Sequence, residues 1–101
     1  MPMGTDTFEQ VKEEVNIKEP KKFKVILFND DRTTFQFVID VLRVVFHKTF
    51  EESLVVTTLI HEQGSGVAGI YSQEIAEEKT NEAMMLANKA GFPLQVTYEE
   101  Y

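Results

Sequence analysis

The run Phe23-Lys24-Val25-Ile26-Leu27-Phe28, ended by Asn29-Asp30-Asp31, constrains the fold more than any other stretch of the chain. It is short and rich in β-branched and aromatic side chains, so it reads as a buried strand, and the polar triplet after it reads as a turn. The residues before it cannot join a core. Over 1–22 the chain is polar and charged, holds two of the three prolines and lacks a sustained apolar period. Such a segment buries too little surface to offset its ordering entropy, which predicts a flexible arm. A transient helical turn at 10–17 would be stopped by Pro20. The folded domain is therefore expected over 23–101.

Helix signals follow the strand. Thr33 with Gln36 matches a capping box, and Phe35, Val38, Leu42 and Val45 recur at helical spacing. Thr49 with Glu52 repeats the signature, and Leu54, Val55, Leu59 and Ile60 form an apolar stripe that His61, Glu62 and Gln63 close, with Gly64 placed as C-cap. Val67 to Tyr71 reads as a second strand. Ser72 is placed to cap a third helix, whose small apolar face is Ile75, Ala76, Ala83, Leu86, Ala87 and Ala90; Gly91 and Pro93 end it. Leu94, Val96 and Tyr98 then alternate with polar residues, as in a strand with one wet face. Three strands and three amphipathic helices in the order strand, helix, helix, strand, helix, strand predict an α+β sandwich: a three-stranded antiparallel sheet with helices on one face.

Composition narrows the function. The chain has 101 residues, enough for one domain, and 43% of them are hydrophobic, as in a globular protein. It contains no cysteine, which excludes disulfides and cysteine-ligated zinc. A formal net charge of −7 repels phosphate backbones, so nucleic acid is not an expected partner, whereas amines and basic peptides are. No stretch approaches the roughly 18 apolar residues of a membrane span, and 1–11 lacks the features of a signal peptide. A cytoplasmic monomer that does not engage membranes is expected.

Catalytic and nucleotide motifs fail on context. Gly64-Ser65-Gly66-Val67-Ala68-Gly69 spells G-x-G-x-x-G, but it follows a helix and enters a strand, the reverse of a phosphate-binding turn; a C-cap, a turn and a strand glycine suffice. Asp30-Asp31 resembles the acidic pair of receiver domains, yet the chain is too short for their five-stranded sheet. His61-Glu62 has no second histidine at a ligand spacing, and His47 sits at the end of another helix. No serine or cysteine stands in a nucleophile context, so neither catalysis nor a metal or other cofactor is expected. Asn29, Asp30 and Asp31 are by default turn and capping residues. Together with His61, however, Asn29 and Asp30 also offer acceptors to a cationic, multi-donor guest such as a protonated α-amine.

Co-linear segments then carry a resemblance. Lys24-Val25-Ile26-Leu27-Phe28-Asn29-Asp30-Asp31, Phe37-Val38-Ile39-Asp40-Val41-Leu42, His61 with Gln63-Gly64, Gly69-Ile70-Tyr71 and Glu74-Ile75-Ala76-Glu77-x-Lys79 closely resemble ClpS, the bacterial adaptor family of the N-degron pathway, from Phe23 through Thr97. The resemblance implies an adaptor that binds proteins through a destabilising bulky hydrophobic N-terminal residue. It also implies delivery to a ClpA- or ClpC-type AAA+ unfoldase of the Clp protease. Asn29, Asp30 and His61 would hold the α-amine and first peptide unit, while Thr33, Phe35, Val38, Thr57, Ile60 and Leu94 would form the pocket for the first side chain. Glu74 and Lys79, otherwise ordinary exposed charges at the start of a helix, would dock on the unfoldase, and the arm before Phe23 would engage it during delivery. On this reading Asp31 is a turn or supporting residue.

Departures from the family pattern fall on the pocket. The threonine at the loop–helix junction is followed by Thr34 where proline is common, and Phe35 and Thr57 stand where methionine is usual. Methionine fills gaps adaptably, whereas phenylalanine is stiff and threonine short and polar, so a reshaped pocket with its own ranking of Leu, Phe, Tyr and Trp is expected. Two alternatives to the adaptor remain open. One is a regulator that docks on an unfoldase without reading N-termini. The other is a small metal-dependent hydrolase using the acidic pair.

Overall fold

A computed structural model describes residues 20–101. The expected arm over 1–22 lies outside the described residues except for Pro20, Lys21 and Lys22, and so does the helical turn expected at 10–17. The elements are β1 (Phe23–Phe28), α1 (Phe35–Val44), α2 (Phe50–Gln63), β2 (Ser65–Tyr71), α3 (Gln73–Ala90) and β3 (Gln95–Glu100). This is the expected α+β order.

β1 is the central strand of the sheet, antiparallel to β2 on one side and to β3 on the other. Its apolar run is split by the pleat. Val25 and Leu27 are fully buried in the core, while Lys24, Ile26 and Phe28, on the opposite face, are only half-buried. The strand is thus buried on one face rather than two, because the helices cover one side of the sheet. The register against β2 shifts between Val25 and Ile26, which leaves Ala68 as the extra residue of a bulge whose side chain is buried. Pairing with β3 extends one residue beyond the strand, where the Tyr101 N–H donates to the Lys22 carbonyl at 2.8 Å.

The helix starts follow cap chemistry, with one correction. α1 is capped by Thr34, not Thr33: the Thr34 hydroxyl accepts from the Phe37 N–H at 3.1 Å. Gln36 then falls one position short of a reciprocal box, and its amide donates to Asp40 Oδ1 at 2.9 Å instead. Two consecutive threonines offer the same chemistry, and the turn before them decides which is used. The second box forms as expected. Thr49 accepts from the Glu52 N–H at 3.1 Å, and Glu52 accepts from the Thr49 N–H at 2.8 Å. That backbone hydrogen bond, helped by the threonine hydroxyl, holds the Glu52 carboxyl below its usual range, so its support of the helix is present at neutral pH and fades as pH falls through the lowered value. Gly64 and Gly91 end α2 and α3 in left-handed geometry, at φ 93° and 81°.

Two predicted helix faces are corrected. On α2 the buried side is Ser53, Thr57 and Ile60, with Val56 partly buried beside them; Leu54, Val55 and Leu59 are exposed. Only Ile60 of the expected stripe is inside. α2 is held by contacts with α1 and β2, so its inward face is set by those neighbours, and short polar side chains occupy it. On α3, Ala76, Ala83 and Ala87 are buried as expected and Leu86 is partly buried, but Ile75 and Ala90 are exposed and Thr80 is buried in their place. The Thr80 hydroxyl is satisfied by the Ala76 carbonyl at 2.8 Å. β2 starts at Ser65, so the expected turn after Gly64 does not exist and both Gly66 and Gly69 are strand residues.

Both glycines serve close approaches. A side chain at Gly69 would fall on the ring of Tyr71, which lies across it. That ring packs near Phe46, with centroids 6.4 Å apart, and burial pushes the Tyr71 hydroxyl above its usual range. Gly66 lets β2 pass under α2, since a Cβ there would stand 2.8 Å from Ile60 Cγ1.

Candidate functional site

The backbone brings the predicted residues together. β1 and β2 pair to the end of β1, with Phe28 opposite Ser65, and the next residue continues the ladder: the Asn29 N–H donates to the Gly64 carbonyl at 2.9 Å. Gly64 is the C-cap of α2, so the loop after β1 is fixed against the last turn of that helix, which carries His61. A tight turn then reverses the chain. The Thr33 N–H donates to the Asp30 carbonyl at 3.1 Å, and the Arg32 N–H donates to Asp30 Oδ1 at 2.7 Å. Asp30 closes the turn and Asp31 stands within it, as expected for Asp31 from the sequence. α1 starts immediately after it, with Thr34 and Phe35.

Between these pieces lies a cavity of about 410 Å³ lined by Asn29, Asp30, Asp31, Thr33, Thr34, Phe35, Val38, Thr57, Ile60 and His61. The exposures grade it from floor to rim. Val38, Thr57 and Ile60 are almost fully buried, whereas Asn29, Asp31, Phe35 and His61 are exposed. The rim therefore carries carboxylate, amide and imidazole groups, and the floor is mainly hydrocarbon. Phe35 meets His61 edge-on with ring centroids 6.4 Å apart, spanning the gap between α1 and α2. Two carboxylates and no lysine or arginine line the cavity, so its field favours a cation. An amphipathic guest with a cationic head and an apolar body matches it.

Of the predicted site residues, Asn29, Asp30, His61, Thr33, Phe35, Val38, Thr57 and Ile60 share this one cavity. Leu94 does not. It stands just before β3, is buried in the core cluster that also contains Val38 and Ile60, and borders a separate groove with Phe92 and Pro93. Asp31 and Thr34 line the cavity without having been predicted as site residues. The sequence signal for both was their place in the unbroken loop from Asn29 to Phe35.

Glu74 is exposed on the first turn of α3. Lys79 is not the exposed charge it was expected to be. It is partly buried, its Nζ donates to the Val45 carbonyl at the end of α1 at 2.7 Å, and it lies 5.7 Å from the Tyr71 ring centroid. A cation on the C-terminal carbonyls of a helix and over an aromatic face is favourable on both counts. Among the described residues no group of three or more His, Cys, Asp or Glu is arranged to hold a metal ion, and no helix is long and apolar enough to cross a membrane.

A small α+β domain with an acidic-rimmed, apolar-floored cavity at the strand–helix junction is a ligand-binding module. Comparison with known proteins identifies its kind. The family model described as ATP-dependent Clp protease adaptor protein ClpS matches residues 18–97. The ClpS adapter protein of Wolinella succinogenes is 45% identical over 97 residues, covering 96% of this chain and 95% of its own length. That of Campylobacter jejuni is 48% identical over 96 residues, covering 95% and 96%. The structure of Agrobacterium tumefaciens ClpS2 bound to L-phenylalaninamide superposes with a TM-score of 0.79 at 41% identity, covering 82% of this chain and all of that one. The chain belongs to the ClpS family of Clp protease adaptors.

The turn bond made by Asp30 can be separated from its charge. Asp30→Asn keeps an acceptor oxygen for the Arg32 N–H and should leave the urea midpoint near that of the unmodified chain. Asp30→Ala removes it and should cost about 0.5–1.5 kcal/mol. Equal losses in both variants would mean that the carboxylate charge, not the turn bond, holds the loop.

Proposed function

We propose that this cavity binds the free N-terminus of a substrate protein and that the chain presents the captured protein to a ClpA- or ClpC-type AAA+ unfoldase of the Clp protease in the cytoplasm. In this reading Asn29, Asp30 and His61 hold the α-ammonium group and the first peptide unit. Val38, Ile60 and Thr57, with Phe35 at the rim, surround a bulky first side chain. The single observation that carries the proposal is the union of cation-seeking rim and apolar floor in one cavity. An α-amine has an ordinary pKa near 7.7–8.0, so it is largely protonated at neutral pH and donates several charge-assisted hydrogen bonds. Acetylation removes both the charge and two of the donors. The reading is supported by a relative of the same fold bound to L-phenylalaninamide, a molecule with a free α-amine, a benzyl side chain and an amide where a peptide chain would continue.

The protein acts by binding rather than by bond cleavage. Glu74, exposed at the start of α3 and away from the cavity lining, is proposed to contact the unfoldase. Lys79 would serve that contact indirectly, by fixing α3 against the end of α1.

Fluorescence anisotropy with a peptide beginning in an aromatic residue should give saturable binding to the full chain, and its N-acetylated twin should not bind. Asp30→Ala and His61→Ala should each weaken the free peptide by about 1–3 kcal/mol. Equal binding of both twins, or of neither, contradicts an N-terminal reader. In reconstituted degradation, Glu74→Ala should bind the peptide as before yet fail to accelerate its destruction by the unfoldase and peptidase; undiminished delivery would remove Glu74 from the docking surface.

A further inference from the structure

Two residues of the cavity lining, Thr57 and Thr33, carry buried hydroxyl groups that a purely hydrocarbon side chain leaves unused. Thr57 is 2% exposed, and its Oγ1 is buried with no hydrogen-bond partner among the described residues. A helical threonine has an easy partner in the carbonyl four residues back. Its neighbour Thr58 takes that bond, to the Leu54 carbonyl at 2.8 Å, and Thr80 takes the equivalent one in α3 at 2.8 Å. Thr57 does not. Thr33, in the loop leading to α1, also lines the cavity, and its Oγ1 is likewise buried and unpartnered. A buried hydroxyl left without a partner is unfavourable, and a site containing such groups favours a guest that pairs them over an isostere that cannot.

The surrounding atoms limit what that guest can be. Val38 and Ile60 form the apolar floor, and Phe35 stands at the rim, a setting for an aromatic ring rather than for a polar chain. Leucine and phenylalanine offer the hydroxyls nothing. The indole N–H of tryptophan can donate but not accept, while a phenol does both. We infer that the Thr57 and Thr33 hydroxyls make this cavity selective for tyrosine as the first residue of its peptide, above phenylalanine and leucine. This rests on the N-terminus-binding reading and assigns Thr57, where the family commonly has methionine, as the residue that sets the preference.

The test uses four peptides identical except for Tyr, Phe, Leu or Trp at the first position, titrated by anisotropy against the full chain, Thr57→Val, Thr57→Ser and Thr33→Val. Tyr should bind the unmodified chain roughly 3- to 10-fold tighter than Phe, the worth of one or two neutral hydrogen bonds made in place of none. Thr57→Val should collapse that ratio toward one, Thr57→Ser should retain it, and Thr33→Val should reduce it. Removing an orphaned buried hydroxyl does not threaten the fold, and a melting curve of each variant checks this. Phe binding as tightly as Tyr to the unmodified chain overturns the inference without any variant. So does a Tyr preference that survives both valine substitutions. If none of the four free-amine peptides binds, the N-terminus-binding reading falls with it; a flat ranking among four tight binders sinks only the selectivity.

Discussion

The hydrogen bond from the Asn29 N–H to the Gly64 carbonyl joins the end of β1 to the end of α2, and the rest of the site is arranged around it. It continues the β1–β2 ladder by one residue beyond the strand. The ladder thereby locks a loop rich in acceptors beside a helix terminus carrying His61. Gly64 serves both sides of this junction: its left-handed conformation ends α2, and its carbonyl receives Asn29. Gly66, two residues on, lets β2 run close beneath Ile60, which forms part of the cavity floor. The run of glycines that resembles a phosphate-binding motif is better understood as the hinge that lets strand and helix meet.

The site is built from two unlike halves. The rim is exposed and acidic and takes its shape from backbone bonds, chiefly the turn closed by Asp30. The floor is borrowed from the core, since Val38 and Ile60 belong both to the cavity and to the buried cluster under the sheet. The shape of the floor is therefore coupled to packing, and a change there alters the core and the cavity together. The rim can change its chemistry more freely. Lys79 supports this arrangement at a distance by tying α3 to the end of α1, the helix that contributes Phe35 and Val38.

Much of this was legible in the sequence because local chemistry is strong where it matters. The caps at Thr49, Ser72, Gly64 and Gly91 fall where side-chain oxygens and left-handed glycines are obligatory, and the α+β order follows from them. Eight of the predicted pocket and clamp residues meet in one cavity because they lie on the two segments that the ladder joins. What was not legible depended on tertiary contact. The inward face of α2 carries Ser53 and Thr57 rather than its leucines and Val55, an outcome fixed by α1 and β2 rather than by hydrophobic periodicity. Leu94 was assigned to the pocket by resemblance, yet its position before β3 places it in the core beside another groove. Lys79 looked like a surface charge because the carbonyl it bonds, that of Val45, is 34 residues away in sequence. The choice of Thr34 over Thr33 as cap was ambiguous by one residue, and it leaves the Thr33 hydroxyl buried without a partner among the described residues.

In the proposed function a free N-terminus seats between the β1–α1 loop and the end of α2. Nuclear magnetic resonance of the isotopically labelled full chain, titrated with a short peptide bearing a free amine and an aromatic first residue, tests this most directly. Saturable shifts are expected at Asn29 to Phe35 and at Thr57 to Gly64, with the resonances of α3 from Glu82 to Gly91 unmoved. Shifts centred on α3, or none in the loop and the last turn of α2, would contradict it.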